Sequence, residues 1–368
     1  MPDILNKLTI EGFKSICSLK DFELKNLNIL IGANGAGKSN LIDFFRLLRN
    51  IIDGKLDEYI RSGGGISDFL FNGRKTTSEM KFEMHFGIRG YRFSLKPGPL
   101  DNCLLTDEAR YYEHGTTGWW NLGDSPDGKS LLVKKVKEDS TDSGYSRPVY
   151  NAISSWQIYH FHDTSATAAM RHYEIIQDNK VLRFDASNIA PYLLYLRNEK
   201  PDAFQEILDS VRLILPFFDN FLLEVTSFGE KQKVNLSWLQ QGSDYPMQPY
   251  HLSDGAIRFV CLATALLQPD PPSTIIIDEP ELGLHPSAIT ILSELIQNAS
   301  KRTQLIVATQ SPALIDQFSV EDVIVVNRKD GASTFDRLQE KDFKVWLETY
   351  SVGELWRKNV ISGGPVYE

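Results

Sequence analysis

Residues 32–39 read Gly32-Ala33-Asn34-Gly35-Ala36-Gly37-Lys38-Ser39, a complete G-x-x-x-x-G-K-S run. These types at this spacing suit one chemistry, the grip of a polyphosphate. The glycines let backbone N–H groups curl around phosphate oxygens, Lys38 can reach the outer phosphates, and Ser39 offers a hydroxyl to Mg2+. Far downstream, Thr274-Ile275-Ile276-Ile277-Asp278-Glu279-Pro280 is a β-branched run that ends in two carboxylates. A buried strand delivering this pair at its C-terminal edge suits a Walker B motif. Asp278 is then the residue for the Mg2+ shell, and Glu279 orients or deprotonates the attacking water. Alone, the run would read as a strand ending in an acidic turn. Downstream of a phosphate loop it reads as the second half of an ATP site.

Between the two lies Leu252-Ser253-Asp254-Gly255-Ala256-Ile257-Arg258, which leads into an apolar helix. Ser253 is a good helix N-cap. A serine and a glycine N–H at a helix N-terminus can also clamp a γ-phosphate. With these three motifs in view, the chain resembles an ATPase of the ABC superfamily, in the SMC/RecF/OLD-like branch of AAA-type ATPases. Gly12-Phe13-Lys14-Ser15 resembles the N-terminal strand of that branch. Asn34 and Asn40 give its G-x-N-G-x-G-K-S-N flavour. Ser253-Asp254-Gly255 with Arg258 resembles its signature, and Glu281-Leu282-Gly283-Leu284-His285-Pro286 its D-loop. The resemblance implies nucleotide contacts from residues 34–40 and a homodimer that sandwiches two ATPs. Ser253, Asp254 and Gly255 would then act in trans on the partner copy's nucleotide. One phosphate loop and one signature per chain fit that arrangement.

The pattern departs from the family at one catalytic position. The switch after the last core strand is usually histidine; here Leu305–Thr309 is followed by Gln310. Glutamine can hydrogen-bond a γ-phosphate but carries no titrating proton, so slow turnover is expected. About 210 residues separate Ser39 from Ser253, without the sustained heptads of coiled-coil arms. About sixty residues follow Gln310, too few for the nuclease domain that OLD-type proteins carry there. A nuclease or toxin effector is therefore expected to be a separate protein. The tail from Tyr350 to Gly363-Gly364-Pro365 resembles that of stand-alone members and has no chemistry assigned to it.

Several weaker candidates remain. Gln157, or His162 with Asp163, could serve as the family's Q-loop, which senses Mg2+ and the γ-phosphate. His160, His162 and Asp163 also admit a metal reading, without further ligands at suitable spacing, and a purely structural one. Lys14, Arg61 and Arg74 flank the nucleotide region and could touch ATP or DNA, or be solvated charge. Trp119-Trp120 suits a partner patch or a hairpin tip packed on its lobe. The run Leu131–Lys137 is basic but short.

The elements that must position these residues are legible as patterns. Leu8–Phe13 and Leu24–Leu30 alternate like strands, residues 81–86 and 91–95 read as hairpin arms, and a strand is expected near Ala109–Tyr112. Residues 201–216 have helical spacing. Strands return at Phe221–Phe228 and Lys233–Trp238, and Asn121–Ser130 reads as a mobile surface loop. From Ser253 the order helix, strand, helix, strand is α/β wiring. The expected fold is an α/β, ABC-type P-loop head: a mixed, mainly parallel core sheet with an antiparallel β lobe and a helical insertion. Within the single head, residues 1–75 form the phosphate-loop half, 76–250 the lobe and insertion, and 251–368 the signature/Walker B half. The chain has 368 residues, 42% hydrophobic, with a net charge of −9 and three scattered cysteines. That suits a large core in a reducing cytoplasm, with no signal peptide, no membrane span and no overall basic surface. DNA contact would need a local patch. The expected activity is a dimerising ATPase switch acting on DNA or on an effector in genome maintenance or anti-phage defence. A non-hydrolysing nucleotide-bound scaffold and a transporter's nucleotide-binding subunit are the alternatives.

Overall fold

The computed structural model describes residues 4–99, 102–113, 118–125, 127–138 and 144–361. Two six-stranded sheets organise them. The core sheet has the order 332–337, 323–329, 27–31, 304–309, 274–278, 157–159. Its neighbours are parallel except for Val323–Lys329 against Ala332–Arg337, which form an antiparallel edge hairpin. Its central strands are continuous apolar runs because both faces are covered. Ile29, Ile31, Ile275, Ile277, Leu305 and Val307 enter one hydrophobic cluster with helices Asp254–Leu267 and Pro286–Ala299. The intervening Leu30, Ile276, Ile306 and Ala308 enter a second cluster with helix Lys38–Ile52.

The second sheet is antiparallel, in the order 16–23, 7–13, 80–86, 89–97, 103–112, 118–125. It packs on Lys38–Ile52 through aromatic rings: Phe44 stacks on Phe82 with centroids 5.6 Å apart, and Phe82 meets Phe93 at 4.9 Å. Pro201–Ile214 is helical as its spacing requires, and two small sheets fill the region from Glu174 to Gln240. This is the expected α/β head. No helix among the described residues is long and apolar enough to cross a membrane, and none between Ser39 and Ser253 is long enough for a coiled-coil arm.

The two sheets interleave along the chain. Strands 7–13 and 16–23 belong to the antiparallel sheet, whereas 157–159 belongs to the core sheet. Strand Ile16–Glu23 gave no alternating signal. Only Ile16 and Leu19 are buried, and the ladder shifts register opposite it at Leu8–Ile10. The expected loop Asn121–Ser130 needs correction. Asn121–Ser125 completes the edge strand Gly118–Ser125, and helix Leu131–Glu138 follows. Pairing with Cys103–Tyr112, with register shifts near Glu108, absorbs the glycine-rich composition that locally favours a loop. In that strand Trp119 lies beside His85 and Tyr111, while Trp120 faces Tyr145. Residues 363–365 of the tail lie outside the described residues.

Trp156 ties the two layers together just before the last core strand. It is 2% exposed, 5.0 Å from the Phe45 ring and 6.2 Å from Phe86. Its indole N–H is buried without a partner. Trp156→Ala is expected to cost about 3–5 kcal/mol of unfolding free energy in a denaturant titration. Trp156→Phe, which keeps most of the packing and removes the unpaired donor, is expected to cost far less.

Candidate functional site

The loop at residues 32–37 leaves the C-terminal end of Leu27–Ile31, a fully buried strand held on both sides by parallel neighbours. It runs straight into helix Lys38–Ile52. Gly35 has φ +78° with nothing within 4 Å of where a Cβ would project, so the loop is open there. Gly37 has φ +118°, and a Cβ on it would collide with the Ser333 hydroxyl. Only glycine satisfies both the left-handed backbone and that close approach. Lys38 is 6% exposed, and its Nζ donates to the carbonyls of Gly32 at 2.6 Å and Ala33 at 3.2 Å. Burial pushes its pKa down, against the pull of Glu279, Asp278 and Glu281.

Strand Thr274–Asp278 lies beside Gln304–Thr309, and the next residue turns sharply. Glu279 has φ +44°, and its N–H donates to the Ala308 carbonyl at 2.8 Å. A non-glycine residue in this conformation stores about 1–3 kcal/mol of strain, which is typical of functional sites. The turn brings Asp278 and Glu279 into the cavity that Asn34, Gly35, Gly37, Lys38, Ser39, Asn40 and Gln310 also line. Gln310 spans it: its Nε2 donates to Asn34 Oδ1 and to Glu279 Oε1, both at 2.7 Å. Gln310 thus joins the phosphate loop to Glu279. The Asp278 pKa is raised, first by burial and then by Glu279, with His162, Arg46 and Lys38 opposing.

Behind this pair sits Glu281, which sequence reasoning placed in the D-loop without a role. Its Oε1 accepts from Thr309 Oγ1 at 2.5 Å and from the Gln310 N–H at 3.2 Å, and burial raises its pKa. Three carboxylates, Asp278, Glu279 and Glu281, therefore act on the buried Lys38 ammonium. Of these, Asp278 and Glu279 share the cavity with the Ser39 hydroxyl, oxygen donors of the kind that hold a divalent cation beside a polyphosphate. Among the described residues no group of three or more His, Cys, Asp or Glu is placed to bind a metal.

The Q-loop candidates separate. Gln157 pairs with Ile275, three residues before Asp278 on a parallel strand. That sets it about 10 Å from the carboxylate edge, and it lines a different cavity with residues 177–184. His162 instead reaches the site, its Nε2–H donating to the Asp278 carbonyl at 3.0 Å. The His160 ring lies 3.9 Å from it, while exposed Asp163 turns away to accept from the Ser165 N–H and hydroxyl. Lys14 is bound to Asp43, which also accepts from Arg46 at 2.7 Å. It is an internal ion pair rather than a free cation.

The residues expected to form a signature stand apart from the phosphate-loop cavity, which none of Ser253, Asp254 or Gly255 lines. Ser253 caps helix Asp254–Leu267, accepting from the Ala256 N–H at 3.2 Å. Asp254 accepts from Arg171 at 2.9 Å, and Arg171 also donates to the Pro249 and Leu252 carbonyls. A Cβ on Gly255 would strike the Gly283 carbonyl, so signature and D-loop touch backbone to backbone. Arg258 fixes the same junction. Its guanidinium donates to Phe161 O at 2.9 Å, to His162 O at 3.1 Å and to the Leu282 carbonyl. The sequence offered no signal for Arg171, and none for Ser333, which touches the phosphate loop from the far edge hairpin.

The family profile described as "AAA domain, putative AbiEii toxin, Type IV TA system" matches residues 27–316. The chain is 21% identical to the Septu protein PtuA of Bacillus thuringiensis over 355 residues, covering 91% of this chain and 78% of that protein. It is 34% identical over 265 residues to the chromosome partition protein Smc of Desulfitobacterium hafniense (strain Y51), covering 69% of this chain and 20% of that one. Its fold is similar to the Smc head domain from Pyrococcus furiosus with an extended coiled coil, solved bound to the C-terminal domain of ScpA. The TM-score is 0.51 at 16% identity, over 95% of this chain and 99% of that one.

The raised pKa of Asp278 has a measurable consequence. A carboxyl whose folded-state pKa lies above its unfolded value costs stability once pH rises through the folded value, and the cost vanishes in acid. Asp278→Asn is therefore expected to melt higher than the wild type near pH 7.5 without ligand, with the gap closing as pH falls to about 4. Thermal unfolding across that range checks it. A variant that melts lower at every pH would assign Asp278 a net stabilising role.

Proposed function

The chain belongs to the AAA-domain family whose profile spans residues 27–316, as an ABC-type ATPase head without coiled-coil arms, and we propose that it is an ATP-hydrolysing switch that closes as a homodimer. The observation that carries this reading is the split site. The phosphate loop, Asp278, Glu279 and Gln310 share one cavity of about 140 Å3, well below the roughly 300–1,000 Å3 of a complete ligand pocket. Ser253–Gly255 lies elsewhere, which supports a second copy of the chain as the cap. In this reading the loop N–H groups and Lys38 bind the phosphates, Ser39 and Asp278 hold Mg2+, and the signature of the partner copy closes the site. Mg2+ supplies charge neutralisation at the phosphates. Glu279 orients and deprotonates the water, and Gln310 holds Glu279 in place, accepting no proton itself. His162 steadies Asp278 through its main chain.

The output we infer is control of a separate nuclease or toxin protein in anti-phage defence or genome maintenance, with DNA as a candidate ligand. The toxin-system description of the family and the likeness to the Septu protein PtuA support the defence side. The similar Smc head was solved with a bound protein domain, which supports a protein partner. One observation favours a non-hydrolysing scaffold instead: the Gln310 amide already occupies Glu279 Oε1.

Steady-state hydrolysis and light scattering with and without ATP separate the two. The switch predicts that Lys38→Ala loses ATP binding and dimerisation together. It predicts that Glu279→Gln lowers turnover about 100-fold or more while stabilising the ATP-bound dimer. Linear duplex DNA added to the assay tests the DNA ligand. Firm Lys38-dependent binding with no turnover and no dimer would favour the scaffold.

A further inference from the structure

A phosphate loop works by turning its N–H groups inward, so its carbonyls must face outward and find donors. At Ala36 that donor comes from the other end of the chain. Ser333 Oγ, on the edge strand Ala332–Arg337, donates to the Ala36 carbonyl at 2.5 Å. Ser333 Oγ also lies 2.6 Å from Ser15 Oγ, and Asn40 Nδ2 donates to Ser15 Oγ at 2.5 Å. The two ends set the direction. The Ser333 proton is spent on Ala36, so Ser15 must donate to Ser333, and the relay runs Asn40 to Ser15 to Ser333 to Ala36. Bonds aligned head to tail polarise and strengthen one another.

The relay is also a structural joint. The Ser333 N–H donates to the Ser15 carbonyl at 2.7 Å, and Ser15 lies between the first two strands of the antiparallel sheet. The core sheet and the antiparallel sheet are therefore stitched together directly behind the loop. Two glycines let the hairpin come this close. A Cβ on Gly37 would strike Ser333, and a Cβ on Gly32 would strike the Val326 carbonyl. Ser333 is 4% exposed, so water does not substitute for its hydroxyl.

We propose that Ser15, Asn40 and Ser333 are positioning residues for nucleotide binding, a hydrogen-bonded clip that holds the phosphate loop in its binding conformation from the edge hairpin. Asn40 then acts through the clip rather than as a direct phosphate ligand. This rests on the nucleotide-binding part of the reading above and adds residues to it.

The test measures Mg-ATP affinity for Ser333→Ala, Asn40→Ala and the double variant, with Lys38→Ala as control. Hydrogen exchange of residues 32–37 is followed in the ligand-free proteins. The clip predicts about tenfold weaker binding for Ser333→Ala and a double variant no weaker than Ser333→Ala within about twofold. It also predicts faster exchange of the loop amides without nucleotide, which the bulk stability of the protein would not produce. Independent, multiplying losses for Asn40 and Ser333 would overturn the relay, as would unchanged loop exchange in Ser333→Ala. If wild type and Lys38→Ala bind ATP alike, the nucleotide reading fails, and the exchange experiment still decides whether the clip holds the loop.

Discussion

The parallel pairing of Leu27–Ile31 between Gln304–Thr309 and Val323–Lys329 is the constraint on which the site depends. Neither neighbour is close in sequence. Together they fix where the phosphate loop leaves the sheet, and they do so with backbone bonds buried on both faces. From that placement the rest follows. Thr309 ends one neighbour, so Gln310 emerges beside the loop. Thr274–Asp278 pairs on the far side of that neighbour, so its carboxylates arrive at the same edge. Val323–Lys329 carries the hairpin that brings Ser333 behind Ala36. An open parallel sheet places ligands at the carboxyl ends of its strands, and this one assembles its binding groups there from four separate stretches of chain.

Electrostatically the site is left unbalanced. Asp278 and Glu281 are both raised by burial, and Lys38 is lowered by it. Each group pays a desolvation cost that its neighbours only partly offset. Glu281 Oε2 is buried with no partner, and Glu279 sits in a left-handed turn. Such strain concentrates where binding groups are held ready for a ligand. In the proposed switch, a divalent cation would offset the negative charge and a second copy of the chain would close the cavity.

Two arginines tie together the segments around the site. Arg258 binds carbonyls of the segment after strand 157–159 and of the D-loop. Arg171 binds the carbonyls of Thr164, Pro249 and Leu252, the last two just ahead of Ser253. A guanidinium with five donors in a fixed plane is suited to clamping several carbonyls at once. These contacts join helix Asp254–Leu267 to the segments that carry His162 and Glu279.

The chemistry of this protein was written locally in its sequence. The phosphate loop, the acidic end of Thr274–Asp278 and the Ser253 cap each lie within eight or fewer consecutive residues, so their types and spacing carry the meaning without a fold. The hairpin 80–97, the helix 201–214 and the α/β order after Ser253 were likewise legible, because apolar periodicity follows from the local element. Only tertiary structure decided the rest. Gln157 and His162 are both plausible in a linear reading, and the register of one short strand against Ile275 separates them. Asn121–Ser125 has loop composition and becomes a strand because a partner strand accepts it. Ser15 and Ser333 are ordinary serines until sheet pairing brings them together. Register and strand order depend on long-range partners, which no local propensity encodes.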